Sequence, residues 1–140
     1  MLRQFFLLCL VLLLIAPALA DNIEIRKGGS YWATIESDGD IRIDGSFVGR
    51  IEEDGDVRKD GSYVGRVEED GDVRKNGSYY AVVESDGDLR VGGSYVGRIE
   101  PSGSIRLNGS YWGTANHLDT PFDIRKVAAV LFFFSPDFSI

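Results

Sequence analysis

The feature that most constrains this chain is an internal period of 16 residues: the segments starting at Ile25, Ile41, Val57, Val73, Leu89 and Ile105 superimpose. The copy beginning at Val57 reads VRKDGSYVGRVEEDGD, and the shared pattern is apolar-Arg-x-x-Gly-Ser-aromatic-x-small-x-apolar-Glu-x-x-Gly-Asp. Each copy holds two Gly-centred reversals, at Asp60-Gly61 and at Asp70-Gly71, separated by short β-rich segments. That is the signature of consecutive hairpins in an antiparallel meander.

Turn length decides which side chains share a face. Two-residue type I′ loops throughout would set Val57 against Val64 and Val73 against Glu68, leaving no uniformly apolar face. Three-residue loops closed by a left-handed Gly set Val57 against Tyr63 and Val67 against Val73, so that Val57, Tyr63, Gly65, Val67 and Val73 line one face. The other face then carries Arg58, Val64, Arg66, Glu68, Asp72 and Arg74. Like charges sit opposite one another there, offset by the diagonals Arg66–Asp72 and Glu68–Arg74. It reads as a solvated surface.

The longer strands serve two neighbours and carry a small residue at the changeover: Ala33, Gly49, Gly65, Ala81, Gly97 and Gly113. Such residues suit a bend or a close approach of backbones around a common centre. Eleven reversals link about twelve strands, and pairing the last with the first removes both sheet edges. A β-solenoid is the competing architecture, but its coils do not need a Gly reversal every six to ten residues. The expected fold is therefore all-β, a shallow closed antiparallel barrel of radially arranged hairpin petals over residues 21–116, with one C-terminal helix filling its apolar centre.

Residues 117–140 leave the repeat. Thr120 before Pro121 reads as an N-cap with proline at the first helical position, Asp123 suits the positive end of the helix dipole, and no Gly or Pro follows until Pro136. A helix over about 120–134 is expected. From Val127 to Phe134 it is apolar on every side, so it either plugs the ring or leaves Phe132, Phe133 and Phe134 to meet lipid or a partner.

The first 20 residues read as a secretory leader: Arg3, an apolar run from Phe5 to Ile15, then Ala18-Leu19-Ala20 before the expected cut. The run is short for a membrane span. Its loss removes Cys9, the one cysteine, and leaves 14 Lys and Arg against 22 Asp and Glu, a net charge of −8. The expected location is the periplasm or the exterior, and the acidic balance counts against nucleic acid.

Little else points to chemistry. The Glu-x-Asp-Gly-Asp turns stack carboxylates, but their spacing is neither an EF-hand nor the nonapeptide of calcium β-rolls, and Asp and Gly are what such turns require. His117 is the single histidine, with no second ligand type to make a metal or nucleophilic centre. Asn76-Gly77-Ser78 and Asn108-Gly109-Ser110 match glycosylation acceptors, yet Asn-Gly is also ordinary turn chemistry. No cofactor, metal or catalytic residue is assigned. What varies between copies is the residue after the repeated aromatic: Trp32, Val48, Val64, Tyr80, Val96 and Trp112. Trp32 and Trp112 belong to the first and last repeats and would meet at the closure. With Tyr80 they could alternatively form a stacking platform for a glycan.

The array Val-Arg-x-x-Gly-Ser-Tyr-Val-Gly-Arg-Val-Glu-x-x-Gly-Asp, ending in Ala128-Ala129-Val130-Leu131-Phe132-Phe133-Phe134, resembles bacterial five-fold β-flower proteins over essentially the whole chain after the leader. The resemblance implies a radially symmetric barrel of hairpin petals. It brings no established activity and no catalytic residues, and its likeness to tubby-type lipid-associated barrels suggests lipid contact by analogy. The five turns at Gly39, Gly55, Gly71, Gly87 and Gly103 fit five petals, with the first and last strands left to close the ring, whereas counting the Gly-Ser turns gives six. The function expected from all this is an exported, non-enzymatic binding or structural module.

Overall fold

A computed structural model describes residues 21–139; the expected leader lies outside them. Twelve strands are present among these residues: β1 (Ile23–Lys27), β2 (Ser30–Ile35), β3 (Asp40–Ile43), β4 (Ser46–Ile51), β5 (Asp56–Lys59), β6 (Ser62–Val67), β7 (Asp72–Lys75), β8 (Ser78–Val83), β9 (Asp88–Val91), β10 (Ser94–Ile99), β11 (Ser104–Leu107) and β12 (Ser110–Ala115). One helix, α1 (Pro121–Phe134), follows. Every strand pairs antiparallel with its sequence neighbours, and β12 pairs with β1, so the sheet closes into a barrel.

The barrel is six hairpins, β1–β2 to β11–β12, joined by five connecting loops. The two loop types differ. Between hairpins the reversal is the three-residue loop expected: Val67 faces Val73, the Glu68 amide donates to the Asp72 carbonyl at 2.7 Å, and Gly71 has φ +97°. The Asp70 carboxylate caps it, accepting from the Asp72 amide at 3.0 Å. Within a hairpin the loop is instead two residues long: Lys59 faces Ser62, and Asp60 and Gly61 have φ +49° and +83°, as type I′ requires.

A bulge makes this second loop compatible with an apolar interior. Arg58 pairs with Tyr63 and Val57 with Gly65, so Val64 is an extra residue on β6. The same shift recurs in all six hairpins. It reverses the phase of the strand, which turns the repeated aromatic outward and leaves the small residue inward. The expected pairing of Val57 with Tyr63 is thus corrected: Val57, Gly65, Val67 and Val73 line the interior, whereas Tyr63 does not.

The interior is a row of aliphatics, Ile25, Ile41, Val57, Val73, Leu89 and Ile105, wrapped around α1, and all six are fully buried. So are Val127, Ala128, Ala129, Val130, Leu131 and Phe132 of the helix. A 14-residue helix is about 21 Å long, close to the length of a six-residue strand. It therefore threads the barrel from rim to rim. Its first turn lies by the loops between hairpins, where Phe122 and Arg125 line a cleft with Asp54, Arg66 and Asp70. Its last turn lies toward the type I′ tips, with Phe133 against Gly65 and Phe134 against Gly49.

Helix start and ring closure are both fastened locally. The Thr120 hydroxyl accepts from the Asp123 amide at 3.2 Å while Asp123 accepts from the Thr120 amide at 2.9 Å, a capping box with Pro121 in the first turn. At the closure, Asn116 stands where other copies have Glu. Its side chain accepts from the Glu24 amide at 2.7 Å and its amide donates back to the Glu24 carbonyl at 3.2 Å.

Candidate functional site

The bulge places six aromatics on the outer wall beside the hairpin tips: Tyr31, Phe47, Tyr63, Tyr79, Tyr95 and Tyr111. They are 38 to 55% exposed and are the large hydrophobic side chains that stand exposed among the described residues. Each faces an arginine across its hairpin, Arg26, Arg42, Arg58, Arg74, Arg90 or Arg106. Because the strand changes phase at the bulge, the residue three positions on also points outward. That residue is Arg50, Arg66 or Arg98 in three hairpins, Thr34 or Thr114 in two, and Val82 in one. Tyr31 shows the arrangement, its hydroxyl 2.9 Å from Thr34 Oγ1.

These arginines are held in place. Nε of Arg58, Arg74, Arg90 and Arg106 lies 2.8–3.0 Å from Glu52, Glu68, Glu84 and Glu100, and Arg42 is paired in the same way with Glu36. Hydrogen bonding to Glu36, more than its charge, raises the Arg42 pKa above the ordinary guanidinium value. The second arginines take the acid directly across the hairpin: Arg50 with Asp40 at 3.0 Å, Arg66 with Asp56 at 3.6 Å and Arg98 with Asp88 at 3.3 Å. The diagonal Glu68–Arg74 is as the sequence led us to expect, whereas Arg66 chooses Asp56 over Asp72. The arginine facing each ring is therefore matched by a carboxylate, Arg26 by Glu24 at 2.7 Å.

The residues singled out for their variation lie elsewhere. Trp32 and Trp112 meet at right angles across the closure with centroids 5.6 Å apart, and Trp112, 7% exposed, also packs on Phe138 at 5.4 Å. The Trp112 indole donates to Asp137 at 2.9 Å, and Lys27 pairs with the same carboxylate at 2.6 Å. Lys27 and then Trp112 hold Asp137 below the usual carboxylate range. Tyr80 packs edge-on against Phe132, 6.0 Å between centroids, with Lys75 3.8 Å above its ring. Phe132 is fully buried, while Phe133 and Phe134 are half-buried under Lys75 and Lys59 at 5.7 Å each.

The loops between hairpins bring carboxylates together, as in Glu68, Asp70 and Asp72, whose oxygens lie within 4.8 Å of one another. The protein already supplies donors to them: Arg74 to Glu68 and the Asp72 amide to Asp70. His117, at φ +52°, places Nδ1 3.3 Å from exposed Asp21. An open cleft of about 750 Å³ beside the start of α1 is lined by Glu53, Asp54, Glu69 and Asp70 together with Arg66 and Arg125. Comparison with family models, curated proteins and solved structures finds no match for this chain.

Proposed function

We propose that this chain is an exported, non-enzymatic binding module that engages its target through the outer wall near the hairpin tips. The observation that carries the reading is the ring of six exposed aromatics, each beside a guanidinium fixed by an acid. Ordinary surface rings are scattered singly; here one unit is presented six times. A catalytic centre is singular, whereas these polar groups are copied around the barrel. Membership among β-flower proteins remains a proposal resting on the repeat and the apolar helix; the six hairpins of this barrel differ from the five petals that name implies.

The test is cosedimentation of the chain from residue 21 with insoluble envelope of the producing cells, against a variant carrying serine at all six outer aromatics. Sedimentation lost in the variant supports the reading. Equal sedimentation of both overturns the use of the wall, and sedimentation of neither overturns binding to the envelope.

A second reading, contact with a lipid surface, is favoured by Phe133 and Phe134 standing half-buried beside Lys75 and Lys59 at one end of the barrel. No helix among the described residues is long and apolar enough to cross a membrane. Flotation with anionic vesicles that is weakened by Phe133→Ser would support surface contact; no flotation of either form would exclude it.

A further inference from the structure

We propose that the six outer aromatics are stacking subsites for a neutral, extended polysaccharide, neighbouring rings on the closed barrel engaging one chain, a ligand chemistry that rests on the wall-binding reading above. The aromatics lie on a convex wall and not in an enclosed pocket, so a ligand there keeps most of its surface in water. That suits a hydroxyl-rich chain and not a compact apolar molecule. A pyranose offers an apolar C–H face that packs on an aromatic ring and a rim of hydroxyls that both donate and accept. Beside Tyr63 both kinds of partner are present: the Arg58 and Arg66 guanidinium groups as donors, and the carboxylates of Glu52 and Asp56 that pair with them as acceptors.

Charge selects among polysaccharides. Each guanidinium beside a ring is matched by a carboxylate, so a subsite has no net attraction for sulfate, phosphate or uronate groups. The chain after its leader carries a net charge of −8, which repels a polyanion at long range. A neutral chain meets no such barrier. Single stacking contacts are weak, but repetition supplies what each lacks: once one ring is engaged, its neighbours bind at a high effective concentration. The sixfold copying then has a use, since a polymer with a repeating face meets a wall with a repeating ring.

The test is affinity electrophoresis of residues 21–140 in native gels containing soluble neutral polysaccharides: laminarin, xyloglucan, galactomannan and dextran, with alginate as the anionic control. Retardation by at least one neutral polymer and none by alginate is expected. Serine at five of the six aromatics should weaken it about 100-fold or more, the loss of avidity. Tyrosine-to-tryptophan replacements at the same positions should retain it. Near-UV circular dichroism of each variant verifies that the barrel is intact.

Three results overturn the proposal: no retardation by any neutral polymer, retardation by alginate alone, or retardation indifferent to the serine substitutions. Flotation of the parent chain with phosphatidylglycerol vesicles, lost in the serine variant, would assign the wall to lipid instead. If cosedimentation with envelope depends on the aromatics while no neutral polymer retards the protein, the wall-binding reading stands and the polysaccharide inference alone fails.

Discussion

At the scale of single residues, the position between the bulge and the inner aliphatics shows how identity follows from the space its neighbours leave. A Cβ built on Gly65 would lie 2.1 Å from the Arg74 carbonyl oxygen and 2.6 Å from the Phe133 ring, and one on Gly49 meets Arg58 O and Phe134 in the same way. The equivalent residue in the fourth hairpin is Ala81, fully buried with its Cβ in place. Because backbone cannot yield as a side-chain end can, Gly65→Ala should cost about 3 kcal/mol, the upper range for overpacking. The reverse change at the equivalent site, Ala81→Gly, should cost only about 0.5–1 kcal/mol, the backbone freedom of glycine in a strand. Urea denaturation at constant slope compares them; equal costs would show that this position senses neither the neighbouring carbonyl nor the Phe133 ring. A small residue here was legible in the sequence as a close approach near a common centre. Which copies need Gly and which accept Ala was not, because that depends on how near the neighbouring strand's carbonyl comes and, at Gly65 and Gly49, on where Phe133 and Phe134 land.

At the scale of elements, the register was half legible. The loop between hairpins carries its own signature in Asp70-Gly71-Asp72, an acid that caps the turn and a glycine that closes it. The bulge at Val64 has no comparable mark: it is a tertiary solution that keeps Gly65 inside and sends Tyr63 out. Hydrophobicity alone assigns Tyr63 to the interior, and this is why the outer aromatic ring was not among the residues the sequence singled out, whereas the two tryptophans were. The tail after α1 adds an element no repeat contains. Asp137 joins the indole of Trp112 to Lys27, and so fastens the C-terminal segment to β12 and β1. Its pKa is lowered in the fold, first by Lys27 and then by Trp112. Unfolded, it titrates near 3.9, so the folded chain binds its proton more weakly. The stability this latch contributes is therefore complete above about pH 5 and declines as the pH falls through the lowered folded value. Asp137→Asn keeps an acceptor for the indole but removes the ion pair. It should lower the urea midpoint near neutrality, and the gap to the parent should narrow as the pH falls below the unfolded value and through the lowered folded one. A gap that stays constant with pH would mean that the ion pair with Lys27 contributes nothing.

For the whole molecule, a closed ring was legible because repeats of this kind leave two open sheet edges and a chain of six has the means to join them. The same reading supplied the helix and its capping residues, but not its direction through the barrel. That direction is set by the two rims: acidic loops receive the first turn, and the tips with Lys59 and Lys75 receive the phenylalanines. The barrel and the helix are consequently one core. The inner row from Ile25 to Ile105 is fully buried against helix residues that are themselves fully buried. Val127, Val130, Leu131 and Phe132 alone should contribute about 1.5–3 kcal/mol each, or about 6–12 kcal/mol together. That is comparable to the entire net stability of a domain, about 5–15 kcal/mol. Hydrogen bonding around a closed sheet does not replace it, since those amides exchange one partner for another while the inner aliphatics would face water. A chain ending at Asp119 should therefore keep no fixed tertiary packing: near-UV circular dichroism is lost and urea unfolding becomes broad. A cooperative transition in residues 21–119, with the near-UV signal of Trp32 against Trp112 intact, would show that the ring is self-sufficient. In that case α1 would be a passenger free to leave its lumen, and the half-buried Phe133 and Phe134 would have to be judged as a mobile surface and not as the end of a core.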